Sequence, residues 1–110
     1  MKLHFRLFVE CSDSHEASVL AARLSEMLSK FDFSLAKPPK QYWKIPELFE
    51  FKYGLAVATQ ESYDRILACN SRDGWLHLGD NAEPCSVWNR TKGTKLLIES
   101  VTWAEVMLVP

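Results

Sequence analysis

A chain of 110 residues with 47% hydrophobic content, 13 Lys and Arg against 14 Asp and Glu, and three cysteines holds a single domain spanning residues 1–110. At this length roughly 65% of the unfolded surface is buried on folding, so one core suffices without a metal or disulfide framework. Aromatic content of 12% and a formal charge of −1 exclude intrinsic disorder and leave no overall attraction to nucleic-acid phosphate.

From Leu3 to Val9, Leu3, Phe5, Leu7 and Val9 alternate with His4, Arg6, Phe8 and Glu10, the period of a strand with one face on a core. Asp13, with Glu16 three places on, reads as a capping pair, with Ser12 and Ser14 as competing caps. Ala17, Leu20, Ala21, Leu24, Met27, Leu28 and Phe31 then recur at helical spacing, predicting an amphipathic helix of about four turns. Phe33 to Lys37 reads as a short strand, after which Pro38-Pro39 must lie at an edge or in a loop because they donate no ladder hydrogen bonds. Phe49, Phe51, Tyr53, Leu55 and Val57 alternate with Glu50, Lys52, Gly54, Ala56 and Ala58, a strand whose second face is expected to be buried too. Thr59 caps a shorter helix with Tyr63, Ile66 and Leu67 inward, ending near Asn70. Ser71-Arg72-Asp73-Gly74 is a turn, and Trp75 to Leu78 is extended. Ser86 to Arg90 is expected to pair with Lys95 to Glu99 as a hairpin across Thr91-Lys92-Gly93-Thr94, and Trp103 to Val109 is the last of seven strands.

This order predicts an α+β fold: an antiparallel sheet with two helices on one face, a split βαβ or ferredoxin-like start, and a C-terminal hairpin and strand. The opening segment carries His4, Arg6 and Glu10 through what an export signal would need to be apolar. No run approaches about 18 apolar residues, and Leu108-Val109-Pro110 offers no prenylation cysteine. A soluble protein with no membrane partner is expected. Cys11, Cys69 and Cys85 are odd in number, far apart and without a CxxC pair, which suits the reduced thiols of a cytoplasm.

Chemistry is sparsely marked. Cys11 at a helix start, four residues before His15, has the placement of an activated thiol, but Glu10, Asp13 and Glu16 oppose a thiolate and burial is the simpler role. Cys69, His77 and Cys85 lack the close pairing of zinc ligands. His4 reads as a sheet-surface residue. Gly54, Gly74, Gly79 and Gly93 stand isolated, so no phosphate loop forms, and neither a Gly-x-Ser-x-Gly elbow nor HExxH occurs. The expectation is a non-enzymatic protein with no catalytic residues, no metal site and no cofactor.

Two surface features remain. Lys37-Pro38-Pro39-Lys40-Gln41-Tyr42-Trp43-Lys44 interleaves lysines with aromatics, as a strand-tracking nucleic-acid binder does. The RNA-recognition motif shares the split βαβ plan, but Lys52-Tyr53-Gly54-Leu55-Ala56-Val57 lacks its alternating aromatics on the face of Gly54. The prolines make this stretch a solvated connection, and a nucleic-acid-binding accessory role is the alternative reading. The second feature is acidity between residues 60 and 85, where Glu61, Asp64, Asp73, Asp80 and Glu83 face only Arg65 and Arg72, a net −3. Asp64, Asp73, Trp75, His77, Asp80 and Glu83 are the candidate partner-binding residues, although acidic loops are commonly just solvated. Trp43, Trp75, Trp88 and Trp103 exceed what a core of this size needs, so one or two are expected on the surface.

The size, the terminal strand Val101-Thr102-Trp103-Ala104-Glu105-Val106-Met107-Leu108 and the acidic stretch resemble small bacterial immunity proteins that neutralise polymorphic or contact-dependent toxins. The resemblance implies a stoichiometric cytoplasmic inhibitor that binds a cognate toxin domain, often a nuclease, and blocks its active site or the approach of its substrate. The acidic surface would imitate phosphate for a basic cleft, with Trp75 supplying desolvated contact area. A small-ligand domain using space between sheet and helices is a third reading.

Overall fold

In chain order the elements are β1 (Lys2–Glu10), α1 (Ser14–Leu28), β2 (Ser34–Gln41), β3 (Leu48–Leu55), α2 (Gln60–Leu67), β4 (Trp75–Gly79), β5 (Pro84–Asn89) and β6 (Val101–Val109). The structure is a computed structural model describing residues 1–70, 74–92 and 95–110. The strands form one antiparallel sheet in the order β2-β3-β1-β6-β5-β4, and the helices pack on one face of it.

The alternation seen in the sequence sets this face. Leu3, Phe5, Leu7 and Val9 of the central strand are buried beside Phe49, Phe51 and Tyr53 of β3 and Val101, Ala104, Val106 and Leu108 of β6. Asp13 caps α1 by accepting from the Glu16 N–H at 2.8 Å, while Glu16 turns back to accept from the Ser12 N–H at 3.0 Å. Ala17, Ala21, Leu24 and Leu28 face the sheet, and the Tyr53 hydroxyl donates to the Ala21 carbonyl at 3.1 Å, holding α1 over β3. Thr59 and Ser62 form a reciprocal capping box for α2, which buries Tyr63, Ile66 and Leu67. Arg65 joins the helices by donating to the Lys30 carbonyl at 3.0 Å.

Four details depart from the sequence expectation. First, β6, not β4, lies beside β1. That central position needs an apolar inward face along the length of nine-residue β1, which β6 supplies, whereas five-residue β4 offers only Trp75 and His77; the β4–β5 hairpin is instead added outside β6. Second, Lys95 to Glu99 is not a strand. Leu97 takes a left-handed φ of 62°, the Ile98 N–H donates to the Leu96 carbonyl at 2.7 Å, and this tight turn plugs both Leu96 and Ile98 into the core. The strand expected to pair with it is β5, which pairs with β4 and β6, so among the described residues six strands form in place of seven; Gly93 and Thr94 lie outside the described residues. Third, β3 stops at Leu55 and leaves Val57 exposed. Its second face is not buried throughout, because Lys52 reaches solvent there. Fourth, β2 continues through Pro38-Pro39 to Gln41 as an edge strand with irregular register, so Lys37 and Lys40 stand on the sheet and only Tyr42 to Lys44 belong to the connection.

Thr102 is an extra residue in the β1–β6 pairing. Its hydroxyl donates to the Phe8 carbonyl at 3.2 Å, and the bulge leaves Phe8 opposite Trp103 on the face away from the helices. Their rings lie 5.1 Å apart, and Phe8 is closed over from the other side by Tyr42 at 4.6 Å.

Candidate functional site

The β4–β5 hairpin gathers most of the candidate residues. The register sets Trp75 opposite Trp88 and His77 opposite Ser86 on the helix side of the sheet. Trp88 is fully buried, whereas Trp75 is half-buried and its Nε1–H has no partner among the described residues. Ser86, also fully buried, sits 2.6 Å through Oγ from His77 Nδ1 and shares a second hydrogen bond with the Tyr63 hydroxyl. This relay plants α2 on the hairpin and brings Asp64, next to Tyr63, to the same end of the molecule. Burial raises the Tyr63 phenol above its ordinary value, offset by its bond to Ser86, with Cys85 and Asp64 adding to the rise. A hydroxyl sealed in this way has no access to a substrate, so the relay acts in packing.

The hairpin tip is built by Asp80, whose Oδ1 accepts from the Ala82 and Glu83 N–H groups, each at 2.9 Å. Its other oxygen makes no hydrogen bond among the described residues, and Glu83 is exposed beside it. Gly79, at φ +75°, starts the tip, and a Cβ there would lie 2.5 Å from the Glu83 carbonyl. Thus Trp75, His77, Asp80 and Glu83 belong to one hairpin, Asp64 stands on the helix tied to it, and Asp73 falls outside the described residues.

The opposite face of β4 was not among the candidates, although the Trp-Leu-His-Leu alternation contains it. Leu76 and Leu78 point there, 58% and 48% exposed. Their cross-strand neighbours Val87 and Cys85 are half-buried, and Met107 extends the row from Leu78 onto β6. Among the described residues, β4 is also an outer strand with one side unpaired. The other outer strand is protected, since β2 carries two prolines and two lysines. The two edges of this sheet are therefore managed in opposite ways.

The remaining candidates separate. Cys85 lies on the open face and His77 on the helix face, so with Cys69 they do not converge on an ion. Burial raises the Cys11 and Cys69 thiols to about 11, Glu16 and Asp13 adding to the effect at Cys11; burial and then Glu105 raise Cys85. Cys11 borders a concavity of about 540 Å³ lined also by Glu10, Glu16 and Glu47, acidic surroundings that oppose a thiolate. Among the described residues, no helix is long and apolar enough to cross a membrane. Comparison with family models, curated proteins and solved structures found no match to this chain.

Proposed function

We propose that the protein is a non-enzymatic protein-binding module, an immunity-type inhibitor acting in the cytoplasm, that captures a basic toxin domain along β4. The observation that carries this reading is the contrast between the two sheet edges. A long-lived soluble sheet blunts its outer strands, and β2 is blunted, whereas β4 leaves backbone donors and acceptors open beside two exposed leucines. Such an edge accepts a strand from a partner: main-chain hydrogen bonds supply affinity, and Leu76 and Leu78 supply apolar contact. The acids at the tip set the sign of the partner. Asp80 and Glu83, with Asp64 behind them, favour a basic surface and speed its approach. Among toxin classes a nuclease fits this charge best, because its substrate cleft is built to attract phosphate.

The test is co-purification with the C-terminal domain of a toxin encoded beside the gene. A one-to-one complex that weakens with salt and suppresses the toxin's activity is the expected result. A neighbouring toxin domain that ignores the protein, or a complex unaffected by charged substitutions at Leu76 and Leu78, overturns the proposal.

A further inference from the structure

We infer that the far half of the open sheet face holds a second site, independent of β4, for a nucleobase carrying a phosphate. A concavity of about 340 Å³ opens between the end of β2, the Tyr42–Lys44 connection and the central strand. Arg6, Lys40 and Lys44 bring positive charge to its wall, Tyr42 and Trp43 bring rings, and Glu50 is the one acid in the lining. That acid is already engaged: Arg6 Nε lies 2.6 Å from one of its oxygens and Lys52 Nζ 3.7 Å from the other. The concavity therefore presents an excess of cations to an incoming anion.

The rings are placed to receive a flat group. Trp43 is 79% exposed, an unusual position for an indole, yet it ends a chain of tilted ring contacts anchored in the sheet. Its ring is 6.3 Å from Tyr42, Tyr42 is 4.6 Å from Phe8, and Phe8 is 5.1 Å from Trp103 in the sheet. Lys44 Nζ sits 5.1 Å from the Trp43 ring centre, and the Arg6 guanidinium lies 4.8 Å from that of Phe8. Stacking surface and cationic groups thus meet in one recess, the pairing that single-stranded nucleic acids and nucleotides require. An acidic peptide would use the cations and leave the indole idle.

The experiment titrates the full chain with fluorescein-labelled octathymidylate and, separately, with AMP, following anisotropy and tryptophan emission across a salt series. Saturable binding with quenching is expected. With Arg6 held on Glu50, Lys40 and Lys44 are left to neutralise one phosphate each, and the log–log salt slope is about −1.4. Trp43→Ala should weaken binding about tenfold or more, since the ring stacks directly on the base. Lys40→Glu with Lys44→Glu should also weaken it and flatten the slope. Octathymidylate binding far more tightly than AMP identifies a strand as the ligand, whereas comparable affinities identify the free nucleotide. The inference is overturned if neither probe saturates, if polyglutamate competes as well as octathymidylate, or if Trp43→Ala binds like the parent protein.

Discussion

His77 and Ser86 face each other across β4 and β5 with 2.6 Å between Nδ1 and Oγ, and the same buried hydroxyl is bonded to Tyr63 of α2. One serine thus fastens the outer hairpin to the helix layer. Ser86→Ala leaves the buried Tyr63 hydroxyl without a partner, a loss of about 1–3 kcal/mol. Tyr63→Phe leaves Ser86 still bonded to His77 and costs less, about 1 kcal/mol. Urea denaturation of the two variants should give that order; equal losses would show that the relay does not hold the hairpin.

Alkaline pH should destabilise the fold. The Cys11 and Cys69 thiols titrate at about 11 when folded, against an ordinary value of 9.0. Between these values the unfolded chain releases protons that the folded chain retains, so rising pH favours unfolding and stability falls. Below pH 9 both states hold the protons and these groups contribute no slope. Replacing both cysteines with alanine should flatten the decline between pH 9 and about 11, measured by denaturation midpoints. An unchanged slope would assign the effect elsewhere.

What the sequence makes legible follows from how local each cause is. The Asp13 and Thr59 caps, the inward faces of both helices and the alternation of β1 depend on neighbours within a few residues, and all are found as read. The pairing of β6 with β1 depends on which distant strand has an inward face long enough for the sheet centre, a competition that no single segment reveals. Leu96 and Ile98 show the ambiguity of a period of two, because a tight turn at Leu97 sends both side chains the same way just as a strand does. At the hairpin, charge and aromatic content marked Asp80, Glu83, Trp75 and His77. Leu76 and Leu78 carry no such mark, and they stand out only once the topology places their strand at an edge.

Gly79 should be intolerant of any side chain. Its φ of +75° is strained for other residues, and a Cβ would meet the Glu83 carbonyl at 2.5 Å, a backbone atom held in place by the Asp80 turn. Gly79→Ala is expected to cost about 2 kcal/mol or more and to disturb the hairpin tip. Circular dichroism melts and amide exchange along β4 and β5 measure both effects; a melt matching the parent protein refutes the assignment.

Charge at the tip should act on association rate more than on stability. Asp80→Asn keeps the Oδ1 acceptor that builds the turn while removing its charge, and Glu83→Gln removes a second exposed charge. The double variant should melt within about 0.5 kcal/mol of the parent protein, as surface changes do. Its association with the proposed basic partner should slow several-fold at low salt and converge with the parent at high salt. Rates that stay parallel across the salt series would show that these acids do not face the partner.

The β4 edge gives the most direct separation of folding from binding. Leu76 and Leu78 are about half exposed, so Leu76→Lys with Leu78→Lys removes little buried area and should change stability by about 1 kcal/mol or less. A docked partner strand would cover both positions, and two cations there would oppose a basic surface as well as remove apolar contact. The expected loss of affinity is at least about 2 kcal/mol, some thirtyfold. Calorimetric titration beside a thermal melt distinguishes the outcomes. A variant that folds like the parent but no longer binds places the interface on β4, and one that folds and binds equally well removes that strand from it.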